Sequence, residues 1–238
     1  MEKQKPVGVL GAGNFGTCLA QHLACKGHQI LLWARSKEDC ENINKQRKNP
    51  RYLNKIRLNE KITAINALKE AVSQTQQIIL AIPTQSLRET LKKIKVWVKP
   101  SHRFICAAKG IEIGSCALPS QIIEEELGEA IGAKTTFLSG PSFAVEVACQ
   151  QPTAVTIAGS CQESTKEAQS LFHTPLFRVY TSSDPVGLEV AGALKNVMAI
   201  AVGAAAGLGY QSNTQAAFIT RALAEITRLG VVLGANPL

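Results

Sequence analysis

The sequence predicts an α/β chain, a doubly wound, mostly parallel sheet followed by an incomplete all-α domain. Short apolar, β-rich runs alternate with amphipathic helical stretches over about the first 180 residues, and such alternation builds a parallel sheet with helices on both faces. The central runs, Ile78-Ile79-Leu80-Ala81-Ile82 and Phe104-Ile105-Cys106-Ala107-Ala108, are apolar without a break, as strands covered on both faces must be. The pattern changes at Asp184-Pro185, where the β-rich runs stop. The expected division is therefore 1–184 for the sheet domain and 185–238 for the helical region.

In chain order, strands are predicted at 7–10, 29–34, 77–82, 103–108, 136–139, 154–158 and 177–181. Helices are predicted at about 14–26, 37–46, 86–95, 118–127, 143–149 and 163–172. Gly27 is placed to end the first helix in a left-handed conformation. Asp184 then Pro185 is the N-cap and N1 pairing that starts a helix. From Val186 the chain reads helical and almost uncharged until Gly207-Leu208-Gly209 breaks it. Asn213 can cap a second helix running to about Leu229. A helix so poor in polar residues must be buried on nearly all sides, and one partner helix cannot cover it. Either a second copy of the chain, giving a homodimer, or a continuation of the polypeptide beyond Leu238 is expected to do so.

Composition narrows the class. Of 238 residues, 45% are hydrophobic, 18% charged and 5% aromatic, which suits a packed core of one or two domains and excludes disorder, collagen and disulfide-knot scaffolds. The seven cysteines form no C-x-x-C pair, so buried or half-buried thiols in a reducing cytoplasm are expected, with no zinc site. Met1-Glu2-Lys3-Gln4-Lys5-Pro6 leads into the first strand without an apolar leader. The longest apolar run, 197–208, is 12 residues, short of the roughly 20 of a membrane span. The net charge of +8 falls largely in 45–61 and 88–103 without interleaved aromatics. That distribution points to a solvated basic face or to attraction of small phosphorylated anions rather than to nucleic acid.

Gly11-Ala12-Gly13-Asn14-Phe15-Gly16 is a G-x-G-x-x-G that follows a strand and opens a helix. Gly11 allows the tight turn, Gly13 lets backbone approach a pyrophosphate, and Gly16 allows close helix–strand packing. The helix N-terminus adds free N–H groups and positive potential. Dinucleotide binding on a Rossmann-type sheet is the functional reading, a merely structural glycine turn the bland one. At the end of the second strand, about 20 residues on from the glycines, stands Arg35 rather than an acid. An arginine there can clamp a 2′-phosphate, so NADP(H) is favoured and NAD(H) is the second choice. The bland alternative is a surface arginine.

Three other strand ends carry unusual residues: Ala81-Ile82-Pro83-Thr84, Ala107-Ala108-Lys109-Gly110-Ile111 and Leu138-Ser139-Gly140-Pro141-Ser142-Phe143-Ala144. Lys109 directly follows an apolar strand and would project into the ligand crevice. Gly140 and Ser142 open a further helix N-terminus, a second potential anion site. Lys195, in Ala191-Gly192-Ala193-Leu194-Lys195-Asn196-Val197, is the leading catalytic candidate. Burial in its nearly uncharged helix would lower its pKa toward the range useful for proton transfer, unless it reaches solvent from a partly exposed turn. Arg221 and Glu225 read as an ordinary i,i+4 ion pair. His22, His28, His102 and His173 show no metal-ligand spacing.

Together these stretches, with Leu32-Trp33-Ala34-Arg35 and Asn49-Pro50-Arg51-Tyr52-Leu53, resemble the bacterial NAD(P)-dependent sn-glycerol-3-phosphate dehydrogenase family over the whole chain. The resemblance implies reversible hydride transfer between NAD(P)H and dihydroxyacetone phosphate, yielding sn-glycerol 3-phosphate for phospholipid synthesis. It implies cofactor contacts for Asn14, Phe15, Arg35, Tyr52 and Ala144, and cofactor and substrate contacts for Lys109. It also implies substrate contacts for Gly140, Ser142 and Lys195, the last as proton donor and acceptor. Asn14 and Phe15 stand where the family usually has Ser and Trp or Tyr. In the family, further helices follow the segment like 233–238 and bring an Asp and an Arg-Asn pair to the site. A second expectation is therefore a truncated chain that binds NADP(H) without turnover. A related dehydrogenase acting on another small acid fits the Lys109 and Lys195 stretches less well.

Overall fold

A computed structural model describes residues 5–237. The leader reading at residues 1–4 and the end at Leu238 lie outside the described residues. The strands are β1 (Val7–Leu10), β2 (Ile30–Trp33), β3 (Ile62–Ile65), β4 (Gln77–Leu80), β5 (Arg103–Cys106), β6 (Thr136–Ser139), β7 (Thr153–Ala158) and β8 (Phe177–Ser182). The helices packed on them are α1 (Asn14–Cys25), α2 (Lys37–Gln46), α3 (Leu68–Ser73), α4 (Leu87–Ile94), α5 (Pro119–Leu127), α6 (Glu129–Gly132), α7 (Ala144–Ala148) and α8 (Gln162–Phe172). Two long helices follow, α9 (Pro185–Gly207) and α10 (Ser212–Val232).

The sheet order is β3-β2-β1-β4-β5-β6-β7-β8, parallel except where β7 runs antiparallel to β6. The unbroken apolar strands are explained by two core layers. Val9, Ile79 and Ile105 face one layer with Leu19 and Leu23 of α1. Leu10, Ile78, Leu80 and Phe104 face the other with Leu87 and Leu91 of α4 and Ile122 of α5. Chain order reverses direction between β1 and β4, which opens a crevice beyond their C-terminal ends.

Short elements escaped the sequence reading. Strand β3 is Ile-Thr-Ala-Ile on the sheet edge, with only Ile62 and Ala64 buried, and gives too brief an alternation to recognise. Helices α3 and α6 are single turns or little more. Helix α10 begins at Ser212 and runs past Gly230 to Val232. Gly230 does not end it, because it is buried with Ala235 packed close by. The left-handed residue is Gly234, at φ +97°.

Helix α9 starts as predicted, with Asp184 Oδ1 accepting from Gly187 N at 2.9 Å. Asp184 Oδ2 also accepts from Asn236 N at 3.0 Å, tying the segment after α10 to the start of α9. Burial on nearly all sides does not hold. The helix docks on β6, β7 and α5 at one end and against α10, and Val197 and Ile200 are 58% and 72% exposed. Among the described residues α9 is long and apolar enough to cross a membrane by length and composition, although its uninterrupted apolar run is short. That is weak evidence for a span, since the helix buries Glu189 against the sheet domain.

Candidate active site

The glycine turn sits between β1 and α1. Gly11 has φ +118°, and a Cβ there would strike the Ala81 carbonyl; a Cβ on Gly16 would strike the Gly11 carbonyl. Both positions are glycine for steric reasons internal to the fold. Gly13 differs, for nothing lies within 4 Å of where its Cβ would be. That open side at a helix N-terminus is what a pyrophosphate needs. Buried Asn49 steadies the turn: its Nδ2 donates to Ala12 O and to Thr17 Oγ1, both at 2.9 Å.

The crevice continues along the end of β2. Gly11, Gly13, Arg35 and Tyr52 line one cavity of about 230 Å³ together with Ser36, Asp39 and Arg51. Arg35 is exposed. Arg51 supplies a second guanidinium there, 3.5 Å from Asp39. Tyr52 is placed through its backbone, whose N–H donates to Asn49 Oδ1 at 3.2 Å. The β2 end is held by Asn66, which donates to the Ala34 carbonyl at 2.9 Å and accepts, at its own carbonyl, the Trp33 indole N–H. The residues present thus fit a dinucleotide: an open glycine, a helix N-terminus, and cations where a 2′-phosphate would lie.

Lys109 occupies the loop after β5. Its Nζ lies 5.1 Å from the centre of the Phe15 ring, a cation–π distance that joins this loop to the first turn of α1. Burial, and then the nearby Lys195 ammonium, lower the Lys109 pKa from its ordinary 10.5. Gly110 turns the chain at φ +139°, against the buried Thr84 hydroxyl, which has no partner. Gly140 has φ +151° where the chain leaves β6 tight against Val155. Ser142 Oγ donates to Gly140 O at 3.3 Å. The helix expected to open there is only the five-residue α7, so its N-terminus is a weak anion site. Ala144 begins that helix and packs on the core beside α1.

Lys195 corrects the burial expectation. It is exposed, because α9 has too few neighbours at that turn to cover it. It nevertheless stands close enough to Lys109 for the two charges to interact. About one turn earlier, Gly192 lets α9 approach Ser139, 2.9 Å from where a Cβ would sit. The charged residue in α9 that is buried is Glu189, 7% exposed. Its Oε1 accepts from Ser120 N at 2.8 Å, while Oε2 has no partner. Desolvation raises its pKa from 4.5 to about 7, against the Ser120 hydrogen bond.

The predicted residues thus fall into two groups. Gly11, Gly13, Arg35 and Tyr52 line one cavity; Lys109 lies over the Phe15 ring and within electrostatic reach of Lys195. Asn14 is exposed in the first turn of α1, while Gly140 and Ser142 lie at the neighbouring strand end. Sequence reading missed Asn49, Arg51, Asn66 and Glu189 as individual contributors. Of these only Glu189, an acid in a nearly uncharged helix, was conspicuous by residue type. His22 Nε2 pairs with the Phe172 carbonyl at 2.7 Å and His102 Nδ1 accepts from Lys99 N at 2.8 Å, both in the framework. All seven cysteines are free.

Comparison with known proteins points to one family. The sequence profile described as NAD-dependent glycerol-3-phosphate dehydrogenase N-terminus matches residues 6–165, and the corresponding C-terminus profile matches 184–238. A glycerol-3-phosphate dehydrogenase [NAD(P)+] from Staphylococcus carnosus is 43% identical over 98% of this chain and 70% of its own length. The crystal structure of glycerol-3-phosphate dehydrogenase from Coxiella burnetii superposes with a TM-score of 0.90 at 34% identity, over 98% of this chain and 70% of that one. The yeast enzyme gives a TM-score of 0.86 at 32% identity, over 99% and 73%.

Proposed function

The chain belongs to the NAD-dependent glycerol-3-phosphate dehydrogenase family, and on that footing we propose how its own residues carry the reaction. The activity is reversible hydride transfer between NAD(P)H and dihydroxyacetone phosphate, giving sn-glycerol 3-phosphate, the glycerol backbone consumed in glycerophospholipid synthesis. Residues 1–184 form the nucleotide-binding unit and 185–238 belong to the substrate unit, a division supported by the two profile matches.

When bound, the nicotinamide cofactor supplies or accepts the hydride. The protein's part is binding, orientation and charge. Gly11, Gly13 and Gly16 shape the turn on which the pyrophosphate rests, and Asn14, Phe15 and Ala144 flank it. Arg35 holds the 2′-phosphate of NADP(H), with Tyr52 across the same crevice. Gly140 and Ser142 border the substrate. Lys109 faces cofactor and substrate together and draws in the anionic phosphate ester.

Reduction of the ketone places negative charge on its oxygen, which needs a proton as it develops. Lys195 Nζ donates that proton, and takes it back in the oxidative direction. The Lys109 ammonium adds a second positive charge to stabilise the oxyanion as it develops. The observation that carries this reading is the junction itself: Lys109 lies over Phe15 of the glycine turn, and Gly192 brings the helix that bears Lys195 against Ser139 and the Lys109 side chain. Free thiols support a cytoplasmic setting. The exposed Val197 and Ile200 support a homodimer, read by sedimentation.

Absorbance turnover with dihydroxyacetone phosphate and NADPH, beside a fluorescence titration of NADPH, tests the whole. Binding with turnover is expected. Binding without turnover would overturn the catalytic assignment and favour the second expectation, a nucleotide-binding chain.

A further inference from the structure

Lys109 sits in a loop without regular structure, 107–118, so something must decide where its ammonium points. On the strand side the loop is fixed by the last ladder bond, Ala107 N to Leu80 O at 2.9 Å. On the far side the constraint comes from the turn that precedes α4. Gln85 Nε2 donates to Ile111 O at 2.8 Å, and Ile113 N donates to Gln85 Oε1 at 2.9 Å. One amide side chain thus grips the loop backbone on both sides of Glu112. Three residues on, Arg88 binds Glu112 in a bidentate fork, Nε to Oε1 at 3.0 Å and Nη2 to Oε2 at 2.8 Å. Its Nη1 reaches Glu125 and Glu126 of α5 at 2.7 and 2.9 Å. Between the ladder and this clamp lie only Ala108, Lys109 and Gly110.

Gln85 is exposed. A surface glutamine is ordinarily solvated and mobile; here both ends of the amide are committed to main chain, one helix turn from a fork that holds the intervening side chain. We propose that Gln85, backed by Arg88, is a positioning residue of the reaction, clamping the 111–113 backbone so that the Lys109 ammonium is presented to substrate and cofactor. This rests on the reading of Lys109 given above. Gln85 itself touches neither ligand and acts only through the loop.

The test is a double-mutant cycle on the full chain with Gln85→Ala, Lys109→Ala and the pair, measuring kcat/KM for dihydroxyacetone phosphate and, independently, the NADPH dissociation constant by fluorescence. Misplacing a reacting group costs on the order of tenfold to a hundredfold, so Gln85→Ala should lower kcat/KM about tenfold with an unchanged melting temperature. Gln85→Glu, which keeps the acceptor for Ile113 N and loses the donor to Ile111 O, should fall between. In the Lys109→Ala background the further loss should disappear. Wild-type behaviour of Gln85→Ala in both readouts, or an equal loss with and without Lys109, overturns the proposal. A Lys109→Ala protein with full activity and affinity overturns the underlying reading instead, and the positioning role with it.

Discussion

Replacing Glu189 by Gln should make the chain more stable at pH 8, by an amount that shrinks to nothing as the pH falls toward 4.5. The carboxyl is 7% exposed, holds one hydrogen bond from Ser120 N and leaves Oε2 unpaired. It also replaces a cap that helix α5 lacks, since Leu118 at its N-cap offers no oxygen. Burial raises its pKa to about 7 from an ordinary 4.5. Between those values the folded chain keeps a proton that the unfolded chain has released, so stability falls as pH rises. Each pH unit in that window costs about 1.4 kcal/mol, giving about 3 kcal/mol once the group is ionised in both states. Gln keeps an oxygen for Ser120 N and carries no charge, so it resembles the protonated acid. The facing Cys106 thiol is held up at about 12, by burial first and then by Glu189, and stays neutral throughout. Denaturant unfolding of both proteins at pH 5, 6, 7 and 8 measures the difference directly. A difference independent of pH, or a variant less stable than the parent at pH 8, would refute the reasoning.

Gly13→Val should leave the melting temperature unchanged, because its side is open, and should abolish NADPH binding; retained affinity in a titration would sink the glycine-turn assignment. Arg35→Asp should turn attraction for the 2′-phosphate into repulsion and shift the NADPH/NADH affinity ratio by on the order of 10²-fold, with an unmoved ratio reducing Arg35 to a surface residue. Lys195→Ala should lower kcat by roughly 10²-fold or more with NADPH affinity nearly intact; because Lys195 is exposed, no loss of stability should accompany it, and normal turnover would remove it from the mechanism.

The legible part of the site was the part whose geometry is local. A collision between Gly16 and the Gly11 carbonyl happens within six residues of chain, so the spacing of glycines in sequence is enough to recognise the turn. Arg35 was legible because a strand of fixed rise carries it to the crevice. Asn49 was not, since its two bonds reach the glycine turn from 37 and 32 residues away, and an asparagine in a loop looks the same whether or not anything faces it. The burial expectation for Lys195 failed for a related reason: an apolar helix states what it would bury, not whether neighbours are there to bury it.

By itself the sequence determined the alternating sheet, the glycine turn and the Asp184 cap of α9, and it singled out the lysines proposed for the reaction. Each rests on sterics, strand periodicity or residue chemistry within a short window. Tertiary structure alone decided that β7 turns antiparallel to β6, that Glu189 rather than Lys195 is the buried charge of α9, and that Gln85 grips the loop carrying Lys109. Those outcomes depend on which distant surfaces meet, and burial and hydrogen bonding between segments far apart in the chain leave no periodic trace in either segment.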